Sequence, residues 1–235
     1  MKFLEEFKVE RKVFDKRTLF AIYKLMNKRI LKSVESIVKE GKESIVCVGK
    51  DFENNLVAIK IYRTLHCDFK KMWKYLVSDP RFKRIKKDRF AIVINWAKRE
   101  YKNLKKAKEK NVNCPKPLAV YENILVMEFI GNGFTPAPRL IDIKFDNTEK
   151  IYQQIIQEME KLASAKIIHS DLSPYNILLK DRVYLIDFSQ AVTTAHPLAL
   201  DFLERDCKNI NEHFEKFGVK IDEKLFERLR ERYEL

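Results

Sequence analysis

Glycine is scarce in this sequence, with five in 235 residues, and no G-x-G-x-x-G stands ahead of Lys60. A phosphate loop of the common glycine-rich kind is therefore excluded. Long apolar runs are lacking as well. None approaches the roughly 20 residues that a membrane helix needs, so no membrane span is expected. The opening residues, "MKFLEEFKVERK", carry acidic side chains where a signal peptide needs its apolar stretch. The four cysteines, Cys47, Cys67, Cys114 and Cys207, are scattered and form no C-x-x-C pair. That excludes a disulfide or zinc framework and leaves reduced thiols in a cytoplasmic protein as the expectation. Repeats and low-complexity segments are absent too.

What is present suits a globular protein, 46% hydrophobic and 34% charged, long enough for one large domain or two small lobes. The net charge of +13 is unevenly spread. Residues 1–150 hold 35 Lys and Arg against 19 Asp and Glu, whereas residues 151–235 hold 12 against 15. Such a field favours polyanionic partners, nucleic acid above all. A well-solvated surface rich in Lys and Glu, as in thermophiles, is the plainer alternative.

Along the chain, "KRTLFAIYKLMNKRIL" (16–31) places Leu19, Ile22, Tyr23, Met26 and Ile30 on one helical face. Residues 34–62 hold β-rich runs broken by Gly41, Gly49 and Asn54-Asn55, which reads as three antiparallel strands. A short helix (69–77) leads into a basic stretch, "SDPRFKRIKKDR" (78–89), expected as a mobile loop. The helix expected over 90–108 carries Val93, Trp96, Ala97 and Leu104 on one stripe, and Glu100 falls on that same stripe. A carboxylate on an apolar face needs a buried cation or an exposed edge. Residues 117–131 read as a hairpin turning at Glu122-Asn123, followed by the connector "GNGFTPAPRL". A long helix (147–166) comes next, opened by the capping-box pair Asp146 and Glu149, and two more helices follow residue 190. The order predicts a bilobal α+β protein with its boundary near Gly131.

The segment "IIHSDLSPYNILLKDRVYLIDFSQ" (167–190) puts Asp171, Asn176 and Asp187 at the ends of apolar strands Ile167-Ile168, Ile177–Leu179 and Val183–Ile186. Aspartate and asparagine are also ordinary turn residues. Phosphoryl transfer, however, relies on positioning and charge neutralisation rather than covalent help. It needs a carboxylate near the attacking group and hard oxygen ligands for Mg²⁺. Asp171 supplies the first; Asn176 and Asp187 supply the second.

With these residues in view, the chain resembles the protein-kinase-like superfamily and, within it, the RIO family of atypical protein kinases. The resemblance runs over nearly the whole length. "VESIVKEGKES" is similar to that family's phosphate-loop region, "VAIKIYR" to its lysine strand and "WAKREYKNL" to its helix-C segment. "VMEFIGNGFTPAPRL" resembles its hinge, "HSDLSPYNILL" and "LIDFSQAV" its catalytic and metal loops, and "HPLALDFLERDCKNI" its C-terminal helix. A short N-terminal region without room for a winged helix favours the first subfamily. The resemblance implies a kinase-like fold, with an N-terminal basic helical extension (1–33), an N-lobe (34–130) and a C-lobe (131–235). It implies ATP with Mg²⁺, or Mn²⁺ in its place. Lys60 would contact the α- and β-phosphates and pair with Glu100, and Lys42, Glu43 and Ser44 would shape the phosphate cover. Glu128 and Ile130 would offer backbone groups to adenine in front of Met127. Asp171 would be the catalytic aspartate, with Asn176 and Asp187 as metal ligands. Asp187 would also accept phosphate, giving an aspartyl-phosphate intermediate.

The activity implied is that of a Ser/Thr protein kinase and ATPase serving small-ribosomal-subunit maturation. Pre-ribosomal RNA would meet the basic first two-thirds, and the phosphate acceptor would be an unidentified protein or the chain itself. The sequence departs from ordinary kinases in three ways: Gly41 stands alone, the metal loop reads D-F-S, and no A-P-E follows Asp187. An ordinary peptide substrate is therefore not expected. A small-molecule phosphotransferase of the aminoglycoside or choline kinase type shares the H-x-D-x-x-x-x-N loop but needs a helical substrate subdomain. Neither 131–166 nor the 48 residues after Asp187 supplies one. A non-catalytic RNA-binding scaffold is disfavoured because Lys60, Glu100, Asp171, Asn176 and Asp187 are all present.

Overall fold

The structure is a computed structural model that describes residues 14–65, 67–82, 85–144 and 146–235. Residues 1–13 of the expected extension, and two residues of the basic stretch, lie outside these. Helix α1 (Lys16–Asn27) begins at Asp15, whose carboxylate accepts the Thr18 N–H at 2.8 Å. Strands β1 (Ser33–Glu40), β2 (Ser44–Lys50) and β3 (Leu56–Tyr62) follow, then α2 (Phe69–Val77), α3 (Arg89–Lys108), β4 (Pro117–Tyr121) and β5 (Ile124–Glu128). The five strands form one antiparallel sheet in the order β1-β2-β3-β5-β4.

Strand β3 decides what this sheet can do. Its side chains alternate between faces. Val57, Ile59 and Ile61 join Ile22 and Leu25 of α1 in one apolar cluster. Ala58, Lys60 and Tyr62 therefore point the other way, toward α3 and the cleft below the sheet. Glu122, at φ 51°, turns β4 into β5 where the sequence placed the turn.

Short strands β6 (Gly131–Asn132) and β7 (Thr135–Pro136) form the connector. A Cβ at Gly131 would lie 2.3 Å from Thr135 O and 2.6 Å from the Phe129 ring, so only glycine fits that close approach. Beyond it come α4 (Thr148–Ser164), β8 (Ile167–Ile168), β9 (Ile177–Leu179), β10 (Val183–Leu185), β11 (Val192–Thr193), α5 (Ala199–Glu215) and α6 (Leu225–Tyr233). Ile155, Met159 and Leu162 of α4 pack with Leu203 and Ile210 of α5 and Leu229 of α6 in the largest core. Among the described residues, no helix is long and apolar enough to cross a membrane.

Three local expectations are corrected. The buried stripe of α1 is Thr18, Ala21, Ile22 and Leu25, while Tyr23 is 52% exposed. Its phenol tolerates water, and the smaller Ala21 lets the helix approach the sheet more closely. The capping box at Asp146 and Glu149 does not form. Asn147, in left-handed backbone at φ 57°, precedes the helix without a side-chain cap, and Glu149 instead accepts from Gln153. The stretch expected as a mobile loop is anchored at its start, where Asp79 and Phe82 are buried. Asp79 takes bidentate bonds from Arg81 at 2.8 and 2.6 Å.

Candidate active site

A cleft of about 420 Å³ lies between the sheet and the helical half. Ser44, Val46, Ala58 and Lys60 form its roof, Met127 to Ile130 its rear, and Asn176, Leu178, Ile186 and Asp187 its floor. The apolar share of this lining suits a flat heteroaromatic ring, and the charged groups gather at one end.

At that end Lys60, only 5% exposed, donates from Nζ to Glu100 Oε1 and to Asp187 Oδ1, both at 2.9 Å. Burial alone would lower the Lys60 ammonium, but the carboxylates of Asp187 and Glu100 outweigh it and raise its pKa. Burial raises the Glu100 carboxyl against the pull of Lys60. Tyr62, two residues along the same face of β3, donates its hydroxyl to the other oxygen of Glu100. The carboxylate on the apolar stripe of α3 is thus fully satisfied. Burial would also raise Asp187, yet the Lys60 ammonium and the Ser189 hydroxyl, 2.7 Å away, hold it well below the usual carboxylate range. Both bonds use Oδ1; Oδ2 takes no hydrogen bond from a described residue.

Asp171 sits across the cleft floor. Asn176 Nδ2 donates to its carbonyl at 2.8 Å and to Oδ2 at 3.2 Å, and Gln190 Nε2 donates to Oδ2 at 3.0 Å. Burial, chiefly, raises the Asp171 carboxyl above its ordinary value. This loop is strung on α5. The Ser170 and Leu172 N–H groups donate to the two oxygens of Asp206 at 2.8 and 2.9 Å, and Arg205 donates to Ser170 O. Ser170 and Asp187 both adopt left-handed backbone, at φ 65° and 63°. That costs about 1–2 kcal/mol per residue, and the bonds made by Asp206 and Ser189 offset it.

The same stretches that build this site match the RIO domain family over residues 45–226. The chain belongs to the RIO family. Among its relatives are the RIO-type serine/threonine-protein kinases Rio1 of Haloferax volcanii, 39% identical over 94% of this chain and 77% of that one, and of Methanocaldococcus jannaschii, 42% identical over 95% and 77%. Both carry the Rio1 name, as the first-subfamily resemblance implied. A solved structure of the Rio2 kinase–ADP/Mg²⁺–phosphoaspartate complex from Chaetomium thermophilum superposes with a TM-score of 0.70 at 21% identity. The match covers 90% of this chain and 65% of that one, just under two thirds of its length. It shows that the bilobal kinase-like architecture is shared.

Within this RIO fold, the expected site residues are brought together unevenly. Lys60, Glu100, Asp171, Asn176 and Asp187 converge. Ser44, Met127, Glu128 and Ile130 line the cleft, whereas Lys42 is exposed at the turn between β1 and β2, beside Glu43. The turn needs no glycine-rich sequence because it is pinned from behind. Gly41 N–H donates to Ser44 O at 2.9 Å, and Arg63 donates from Nε to Gly41 O at 3.0 Å and from its other end to Glu40.

Other residues of this RIO site were not anticipated. Buried Arg99 donates to the carbonyls of Ser189 and Gln190 and to Asp79. Burial lowers its pKa to about 10 despite Asp79. Asn103 Nδ2 donates to Phe188 O and Ala191 O at 2.9 and 2.8 Å, so one face of α3 clamps the whole loop after Asp187. Burial lowers the His169 imidazole below its ordinary value, and its Nε2 donates to Ile186 O at 3.0 Å. Arg99 and Asn103 do carry a sequence signal: both sit beside the Glu100 stripe.

Among the described residues, no three His, Cys, Asp or Glu side chains gather as a closed metal cluster. The cleft instead offers Asp187 Oδ2 and Asn176 Oδ1, the latter left over once Nδ2 is bonded to Asp171. Two hard oxygens facing a phosphate-sized space suit Mg²⁺, which keeps several waters and takes few protein ligands.

Proposed function

We propose that this chain is an ATP- and Mg²⁺-dependent RIO-type Ser/Thr protein kinase and ATPase that works through an aspartyl-phosphate and serves small-ribosomal-subunit maturation. The observation that carries the reading is the buried Lys60 ammonium shared by Glu100 and Asp187 at the polar end of the cleft. Adenine would lie against Met127. The Glu128 N–H already donates to Lys116 O, so its carbonyl serves the ring; the Ile130 carbonyl already accepts from Ala137, so its N–H serves. Lys60 would then reach the α- and β-phosphates. Asn176 and Asp187 would hold Mg²⁺, which neutralises phosphate charge when bound.

Asp187 would attack the γ-phosphorus through Oδ2 once that oxygen is released from the metal. The new O–P bond forms as the bond to the bridging oxygen breaks, and ADP leaves with that electron pair. A water or a Ser/Thr hydroxyl then displaces the carboxylate, giving its proton to Asp171, whose raised pKa suits a base. The Rio2 complex with ADP, Mg²⁺ and phosphoaspartate supports this sequence of events, and the net basic first 150 residues support an RNA-rich partner.

The test is incubation with γ-labelled ATP and Mg²⁺, followed by hydroxylamine. Label on Asp187 that hydroxylamine removes, and that Asp187→Ala never acquires, is the expected result. Label only on Ser or Thr, stable to hydroxylamine, removes the intermediate and leaves direct transfer.

A further inference from the structure

The outward face of α1 is unusual for a surface helix. The helix contains no acidic residue, and its buried stripe is already spent on the sheet. Yet Phe20 and Tyr23 stand on the opposite side, 56% and 52% exposed. Cations accompany the aromatic rings here. Lys24 Nζ lies 5.0 Å from the centroid of Phe20, Lys28 Nζ 4.7 Å from that of Tyr121, and the Arg29 guanidinium 5.7 Å from that of Phe52, itself 46% exposed. Residues 20, 24 and 28 follow one another at i, i+4 spacing, a row about 12 Å long. Phe52, in the turn between β2 and β3, continues it through Arg29.

Three carboxylates border this row, Glu122, Asp51 and Glu53. Glu122 takes Arg17 at 2.9 Å, and Asp51 accepts the backbone N–H groups of Glu53 and Asn55. Lys16, Lys24, Lys28, Arg29 and Lys32 form no ion pair with a carboxylate among the described residues, so these five cations outnumber the Asp51 and Glu53 carboxylates beside Phe52.

We infer that this face, Phe20, Tyr23, Lys24, Lys28, Arg29 and Phe52, is a binding site for single-stranded RNA. Exposed rings offer stacking platforms to unpaired bases, and the alternating cations track the phosphates. A duplex has its bases stacked already and would use the charges alone. The apolar area of an interfacial membrane helix is missing, because the apolar stripe of α1 faces the protein. The inference rests on the polyanion reading of the first 150 residues and narrows it to one surface and one strandedness, away from the nucleotide cleft.

The test is fluorescence anisotropy of the full chain with a labelled 12-nucleotide oligouridylate, a duplex RNA of that length and poly-glutamate. Wild type should bind the single strand more tightly than either competitor, weakening steeply with KCl. The double variant Phe20→Ala/Tyr23→Ala should weaken it by about tenfold or more, since stacking is worth roughly 1–3 kcal/mol per base. Lys24→Glu/Lys28→Glu should weaken it and flatten the salt slope. Phe20, Tyr23 and Lys28 are exposed and Lys24 is half-buried, and unchanged thermal unfolding confirms the fold of each variant. Single-strand binding that survives both variants overturns the inference while leaving an RNA partner intact. Duplex or poly-glutamate bound as tightly as the single strand also overturns it. No RNA binding by wild type sinks the partner reading and this inference together.

Discussion

Lys60 is held between two carboxylates, and Tyr62 donates its hydroxyl to the second oxygen of one of them, Glu100. If Lys60 and Glu100 act as one unit, Lys60→Ala and Glu100→Ala should each lower ATP turnover by about a hundredfold. The double variant should then be little worse than the poorer single. Additive losses in initial-rate measurements would contradict a shared ion pair. Gln190 tests a different contact. Among the described residues it is the one side chain besides Asn176 that donates to the Asp171 carboxylate, and Tyr75 in turn donates to its oxygen at 3.4 Å. Gln190→Ala should lower kcat about tenfold with nucleotide affinity unchanged, as read by calorimetry beside turnover. A loss in nucleotide affinity instead would show a general disturbance of the cleft. Lys60 and Glu100 were legible in the sequence because a charge on an apolar stripe needs an explanation there. Gln190 and Asp206 were not, since Asp206 acts on backbone groups 34 and 36 residues away and Gln190 on a partner in another loop.

At the scale of elements, α5 and α3 each hold one functional loop. Asp206 on α5 accepts two N–H groups from the loop around Asp171, and burial pushes its carboxyl up to about 7 against those donors. An exposed aspartate releases its proton near pH 4, so the folded chain binds more protons than the unfolded one between about pH 4 and 7. The Asp206 contribution to stability is therefore fullest below that window and is lost as pH rises through it. Asp206→Asn should flatten the dependence of Tm on pH over that interval, at some cost in Tm throughout; an unchanged slope would show that the group is ionised across the range. Helix α3 clamps the other loop through Arg99 and Asn103. Removing the guanidinium in Arg99→Ala leaves the Ser189 and Gln190 carbonyls unpaired. It should destabilise the chain by about 3–5 kcal/mol in denaturant unfolding. The elements themselves were largely readable: strands β1 to β5, both long helices and the Glu122 turn fall where periodicity and turn residues put them. Errors arose where a local signal competed with packing. The Asp146 and Glu149 pair fits a capping box, but the chain enters α4 through a left-handed Asn147. Tyr23 counts as apolar in a periodicity, yet its hydroxyl makes the outside tolerable.

For the whole molecule, the two halves share an apolar core, in which Leu104 and Ala107 of α3 and Leu125 of β5 join Ile155, Ile167 and Leu185, and polar groups bridge them at the cleft. The Lys60 bridge spans from the sheet to Asp187, and Arg99 and Asn103 span from α3 to the backbone that follows it. Geometry at the phosphate end is therefore set by these few polar contacts above the shared core. In the proposed chemistry Asp187 is the carboxylate that would meet the phosphates, so the most direct measurement is γ-phosphate loss from ATP with Mg²⁺ by wild type and Asp187→Ala. Both proteins should be matched for folding by circular dichroism and thermal unfolding. The rate is predicted to fall by about a hundredfold or more in Asp187→Ala, with the variant still folded. A folded Asp187→Ala chain that consumes ATP at the wild-type rate would contradict the account.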